Sequence, residues 1–187
     1  MLNPSRIASR AAGACALALS LLLPAHAAPV VEMSLATSAM SAELTVSARD
    51  MADLYAYQFT LNFDPALLTA LAGTEGSFLP TGGSTFFYPG DIDNVAGTVT
   101  FVLGTLLGPV DGVDGSGDLA TFSFDIEQGG FASFSLSDVL LLDSTGAVIP
   151  VDIGALVAHV PEPASSWLAL IALFAVLGGR TLKPRTP

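Results

Sequence analysis

Apolar and polar residues alternate along most of the middle of this chain. In LYAYQFTLNF (54–63), Tyr55, Tyr57, Phe59, Leu61 and Phe63 fall on one face, and Ala56, Gln58, Thr60 and Asn62 on the other. A sustained period of two predicts a half-buried strand. Asp64-Pro65 ends it, because proline lacks the ladder N–H and presets a turn. AELTVSA (42–48) sets Leu44 and Val46 against Thr45 and Ser47, and GTVTFVL (97–103) continues the pattern. DLATFSFDI (118–126) aligns Ala120, Phe122, Phe124 and Ile126 on one side. FASFSLSDVLLL (131–142) and AVIPVDI (147–153) predict two or three further strands. Turns rich in Gly, Asp and Pro separate these runs, and no long helical period interrupts them. The expected fold is all-β, an antiparallel two-sheet sandwich.

The two ends follow another pattern. Arg6 and Arg10 precede the apolar AAGACALALSLLL, and Ala25-His26-Ala27 gives a small-x-small site, so residues 1–27 read as a signal peptide cut between Ala27 and Ala28. Cys15 does not fit a lipoprotein signal, since the apolar run follows it rather than precedes it. Near the other end, Trp167 to Gly179 is uncharged and apolar, followed by Arg180, Lys183 and Arg185. The run, about 164–179, is shorter than the ~20 residues usual for a membrane span and fits by thinning or snorkelling. Basic residues beyond it stay cytoplasmic, which places the middle of the chain outside the cytoplasm.

VPEP, the apolar run and the basic end (180–187) occur in that order, and the combination resembles the PEP-CTERM sorting signal of Gram-negative bacteria. Pro161, Glu162 and Pro163 match its signature; Arg180, Lys183 and Arg185 match its basic end. The resemblance implies recognition by an exosortase, a membrane protease-transpeptidase of species that make exopolysaccharide. The chain would be anchored transiently in the inner membrane, then delivered to the cell surface or extracellular matrix. The alternative is a permanent tail anchor. The expected organisation is a signal peptide (1–27), one domain (28–158) and a sorting tail (159–187).

Composition narrows the chemistry of the middle. Residues 28–160 hold Arg49 as their one basic residue against sixteen acids, a net charge of −15. Such a field repels nucleic acid and anionic membranes and attracts cations. Cys15 leaves with the signal, so packing must hold the domain without disulfides. His159 is the only histidine outside the signal, which removes most zinc and Ser-His or Cys-His arrangements. Ten phenylalanines and three tyrosines supply the core, each able to bury ~150–250 Å². Tyr88, among turn residues beside Pro89 and Gly90, is expected nearer the surface.

Three phrases, YAYQFTLNFDPALL, FFYPGDIDNVAGTVTF and GSGDLATFSF, together with LSDVLLLDSTGAVI, resemble the cohesin domain in order and spacing over about residues 30–153. The resemblance implies a nine-stranded jelly roll without catalytic function, carrying a protein-binding face on one sheet. Cohesins of cellulosomes hold dockerins, small calcium-loaded helical modules, and usually stand in tandem. A single copy between two export signals departs from that pattern, so a dockerin-like protein and exopolysaccharide both stand as candidate partners, and no contact residues carry over.

Two acidic segments are candidate calcium sites: Asp111, Asp114 and Asp118 in GPVDGVDGSGDLATF, and Asp91, Asp93 and Asn94 in GDIDN. Calcium takes six to eight oxygens, which spaced carboxylates and carbonyls in flexible loops can supply. Neither segment keeps the EF-hand register, since Leu119 stands where glycine is needed after Asp114; the other reading is solvated turns. Paired carboxylates can also hydrolyse glycosides, but the domain lacks tryptophan for sugar stacking, and no enzyme activity is expected. Two other functions stay open. One is a carbohydrate-binding module using Tyr55, Tyr57 or Tyr88, although the first two alternate as inward residues. The other is a structural matrix protein bridged by cations.

Overall fold

The computed structural model describes residues 28–162; the predicted signal peptide and the tail from Pro163 onward, with its predicted membrane run and basic end, lie outside the described residues. The strands are β1 (Val30–Thr37), β2 (Ser41–Asn62), β3 (Leu68–Glu75), β4 (Thr85–Tyr88), β5 (Asp91–Asp93), β6 (Thr98–Leu106), β7 (Val113–Ile126), β8 (Gly130–Asp143), β9 (Asp152–Ile153) and β10 (Leu156–Val160). Among the described residues one 3₁₀ turn, Leu79–Gly82, interrupts them. Among the described residues no helix is long and apolar enough to cross a membrane.

β2 organises both layers. Its first half pairs with β1 on one side and β7 on the other, and β7 carries β3 while β1 carries β9. Its second half pairs with β8 and β6, with β10 beyond β8 and both β4 and β5 beyond β6. The two segments AELTVSA and LYAYQFTLNF, each a strand by its own alternation, are thus one strand of 22 residues. It turns from one layer into the other at Arg49–Asp53, where the pairing with β7 slips twice.

The turn depends on two aspartates. Asp50 (φ 53°) and Asp53 (φ 58°) occupy the left-handed region, which Asp tolerates better than most residues. Their backbone N–H groups leave the ladder and must find other acceptors. Ser116 Oγ takes that of Asp50 at 2.9 Å, and Asp114 Oδ1 takes that of Asp53 at 2.8 Å. The Asp53 carboxylate in turn accepts the Gly112 N–H at 2.7 Å through Oδ1 and the Ser144 hydroxyl at 2.7 Å through Oδ2. One side chain therefore ties the bend to the start of β7 and the end of β8.

Between the layers, the alternation holds. Leu44, Val46, Tyr57, Phe59, Leu61, Phe63, Ala120, Phe122, Phe124 and Ile126 are all buried. Two aromatic chains cross the core: Tyr57 stacks on Phe59, which meets Phe122 edge-on, and Phe124 meets Phe63 and Phe134 at 5.2 and 5.8 Å. Each such buried ring contributes about 1.5–3 kcal/mol by burial. The Tyr57 hydroxyl donates to the Leu119 carbonyl at 2.6 Å. Burial, with Glu75 nearby, pushes this phenol up, so it remains a proton donor.

Several expectations need correction. Asp114 and Asp118 lie within β7, not in a glycine-rich loop, because β7 continues past its apolar run to pair with the β2 bend. AVIPVDI is mostly not a strand: Val148 makes an isolated bridge to Leu142, and Asp152–Ile153 pairs with β1 in parallel, against the expectation of an antiparallel sheet throughout. The domain does not end at 158. β10 runs to Val160, fully buried, and includes His159. STFFYPGDIDN, read as turn, contributes the short strands β4 and β5.

Two measurements test this arrangement. The Gly104 position faces the Tyr57 ring, and a Cβ there would lie 2.4 Å from Tyr57 Cζ. Gly104→Ala is expected to destabilise the chain by about 1–3 kcal/mol through overpacking, read as a lower urea midpoint; an unchanged midpoint would show that the ring does not lie there. The second concerns acid. The Ser144 hydroxyl, then the Gly112 N–H, hold the Asp53 carboxyl below its ordinary value; the Thr145 hydroxyl, then the Ala147 N–H, do the same for Asp143. Both carboxylates thus stabilise the fold above the ordinary Asp range, about 3.9, and that contribution is lost as pH falls through the lowered folded values. Asp53→Asn, which keeps the left-handed backbone, should be less stable than the native chain at neutral pH, and the gap should close in acid. A gap that does not change with pH would contradict the role of the charge.

Candidate functional site: an apolar outer sheet face

The two layers present different outer faces. On the β1–β2–β7–β3 layer, Ser34, Thr45, Thr121 and Thr74 stand side by side across four strands, flanked by Glu43 beside Ser123. Arg49 pairs with Glu32 on this same layer. An open recess of about 290 Å³ by the β1–β2 turn is lined by short side chains including Thr37, Ser38, Ser41 and Glu43. There the Ser38 and Ser41 hydroxyls bond each other at 2.7 Å, and no reactive group converges on it.

The other layer turns apolar side chains outward. Directly opposed residues share a face, so the pairings Phe86–Thr105, Tyr88–Leu103, Leu103–Gln58, Gln58–Leu140 and Ala56–Leu142 define one surface across β4, β6, β2 and β8. Phe86 (51%), Phe101 (50%) and Leu140 (37%) are exposed to an extent unusual for large apolar residues within strands. A recess of about 80 Å³ on this face is lined by Ala56, Tyr57, Gln58, Leu103, Leu140 and Leu142. Further along the same face, on β8 and β10, Phe131 and His159 meet edge-on at 5.3 Å, with exposed Val157 nearby.

Backbone irregularity shapes this face. β6 gains one residue relative to β2 between the partners of Phe59 and Leu61, and β8 gains one between the partners of Gln58 and Thr60. The extra residues put Phe101 (φ 59°) and Asp138 (φ 52°) in the left-handed region. The bulge lets both Val99 and Val102 point inward, fully buried, and pushes Phe101 out beside Tyr88, ring centroids 6.4 Å apart. Left-handed phenylalanine is an outlier, costing about 1–3 kcal/mol.

The predicted tyrosine platform therefore divides. Tyr57 is buried, and Tyr55 is packed against the core with its hydroxyl donating to the Gly108 carbonyl at 2.6 Å. Tyr88 is half-exposed on the apolar face. Its hydroxyl donates to Asp91 Oδ1 at 2.7 Å, and that bond raises its phenol above the ordinary value.

Five of the six candidate calcium ligands make hydrogen bonds within the scaffold. Asp114 accepts the Asp53 N–H, Asp118 the Ser47 hydroxyl at 2.7 Å, and Asp91 the Tyr88 hydroxyl. Asp93 accepts the Val95 and Ala96 N–H groups of its own turn, each at 2.9 Å. Asn94 grips both backbone groups of Ala70, at 2.8 and 3.1 Å, fastening the turn to β3. Asp111 is exposed in the loop before β7. Among the described residues no three His, Cys, Asp or Glu side chains come together as a metal group. Pro161 and Glu162 follow β10 directly, and Pro163, Arg180, Lys183 and Arg185 lie outside the described residues. The apolar face itself was missed because Phe101, like the other phenylalanines, reads as core; the only signal for it was SDV, where Asp138 interrupts an otherwise apolar run.

Comparison with known proteins agrees with the fold. A non-cellulosomal cohesin from the hyperthermophilic archaeon Archaeoglobus fulgidus superposes with a TM-score of 0.56 at 11% identity, covering 76% of this chain and 98% of its own. The cohesin of a type I cohesin–dockerin complex from Clostridium thermocellum gives 0.58 at 11% identity, covering 72% and 99%. The sixth cohesin of scaffoldin B from Acetivibrio cellulolyticus, solved with a Cel5 dockerin, gives 0.55 at 16% identity, covering 73% and 99%. No curated protein matches the chain. The family described as Cohesin domain matches residues 38–151, more than half of the sequence, from the end of β1 to the start of β9. The chain belongs to the cohesin domain family.

Proposed function

We propose that this chain is an exported protein-binding module whose docking surface is the outer face of β8, β2, β6 and β4. The observation that carries the reading is the exposure of Phe86, Phe101 and Leu140 on that face, with an apolar recess beside Leu140. Exposed apolar area on a rigid sheet is removed from water when a partner covers it. The solved relatives from C. thermocellum and A. cellulolyticus are complexes with dockerins, which makes a dockerin-like protein one candidate partner here. Cohesin domains are non-catalytic modules, and the polar side chains of this one make structural hydrogen bonds. Delivery follows from the ends of the sequence: a signal peptide, then VPEP, an apolar run and a basic end, the substrate pattern of an exosortase that would leave the module at the cell surface or in an exopolysaccharide matrix.

The surface is tested by Phe86→Thr combined with Leu140→Thr. Both residues are exposed and threonine suits a strand, so the fold is expected to survive, checked by unchanged circular dichroism. Retention of the partner from the host's secreted proteins should fall by at least about thirty-fold, the scale of losing a hot-spot residue. Retention at the native level would remove this face from the function, and retention of a glycan in place of a protein would reassign the module to carbohydrate binding. The sorting route predicts that mass spectrometry of the secreted protein finds the chain ending near Pro163; a mature protein still carrying Arg180–Arg185 would rule out exosortase processing.

A further inference from the structure

The exposed face is not uniformly apolar. Phe101 on β6 and Asp138 on β8 flank the same stretch of β2, Phe59–Thr60, each at a one-residue bulge and each with positive φ. Two strand spacings separate them, roughly 10 Å. Around them the other carboxylates are tied down: Asp91 holds Tyr88, and Asp143 holds Thr145 and Ala147. Asp138 is exposed and accepts no hydrogen bond from any side chain or turn N–H among the described residues.

The charge around the site sets the occupant. The sixteen acids of residues 28–160 face one basic residue, Arg49, and Arg49 sits on the opposite layer, paired with Glu32. A second copy of this chain would bring like charge against like charge. Among the described residues no Lys or Arg lies on this face to neutralise Asp138, so a partner that buries it must supply the cation, because a buried unpaired carboxylate is costly.

Resting on the docking-face reading above, we propose that the paired bulges are its specificity determinant. Phe101 takes an apolar group and Asp138 takes a Lys or Arg of the same partner, so the module selects a cationic, amphipathic protein surface. Phe101 supplies affinity through burial, and Asp138 supplies discrimination and electrostatic steering. The backbone strain of the bulges is held by the packing of Val99, Val102 and Val139 beneath them.

The test uses the full chain in zwitterionic lipid nanodiscs, with empty nanodiscs as blank. The probes are a synthetic leucine–lysine amphipathic peptide and its leucine–glutamate twin. Asp138→Asn and Phe101→Asn both keep a residue at home in the left-handed region, so charge and ring are removed without disturbing the backbone. Binding of the lysine peptide should weaken about five-fold in Asp138→Asn, the upper range for a surface ion pair, and about thirty-fold in Phe101→Asn. Glu43→Gln, an equal change of charge on the other layer, should leave it unaltered, and the glutamate peptide should not bind. Equal weakening by Glu43→Gln and Asp138→Asn would reduce the effect to net charge and overturn the proposal. So would equal binding of both peptides. A host protein retained through Phe86 and Leu140 but indifferent to Asp138→Asn would sink this inference alone, while loss of all binding to the face would sink the docking reading with it.

Discussion

The sandwich depends on one strand belonging to two sheets. β2 is central in each layer, hydrogen-bonded on both sides along both halves, so β1, β6, β7 and β8 all take their register from it. A strand can do this only if its backbone turns sharply without leaving buried N–H groups unpaired. Asp50 and Asp53 meet both demands: they accept the left-handed conformation, and Ser116 and Asp114 of β7 receive the N–H groups the turn releases. Met51 and Leu54 stay buried through the bend, so the core is continuous where the ladder is not. Holding the corner by hydrogen bonds suits a domain that, from Ala28 on, has no cysteine.

That corner also explains where the acids went. Of the candidate ion ligands, Asp114 and Asp118 on β7, Asp91 and Asp93 on β5 and Asn94 in the turn after it each accept a local donor. An Asp with its oxygens on backbone N–H groups is a building element, lowered in pKa by the same bonds that hold the loop. The function must then be sought in what the scaffold leaves unsatisfied. On the outer face of the β8–β2–β6–β4 layer, exposed Phe86, Phe101 and Leu140 stand with the unbonded carboxylate of Asp138.

Much of the core was legible because burial on one side of a strand writes a period of two into the sequence. Tyr57, Phe59, Leu61, Phe122 and Phe124 were readable one by one. The phrases resembling cohesins carried the fold further, since they are scaffold positions. Three things were hidden. A bulge shifts the alternation by one, so Phe101 looked like core and its outward turn could not be seen without the register of β6 on β2. Short edge strands such as β4 and β5 have too few residues for a period and sit among turn formers. The tail linker hid β10, whose LVAHV gains its meaning only from pairing with β8. Proximity in sequence grouped the candidate ligands, whereas the fold gives Asp114 and Asp118 partners on β2 and gives Asp91 the Tyr88 hydroxyl.

A sheet face differs from a loop as a place to bind. Loops must be ordered on association, and that loss of entropy weakens the complex; β2 is braced on both sides and backed by the aromatic core, so its outer residues are already fixed. Rigidity also gives the bulges their effect. Phe101 and Asp138 project from a surface that cannot yield to fit a poor partner, and a left-handed phenylalanine persists because Val99 and Val102 are anchored on either side of it. A flexible loop would relax that strain and lose the spacing between ring and charge. Packing inside and a fixed, mixed surface outside together give the preformed kind of face that recognition favours.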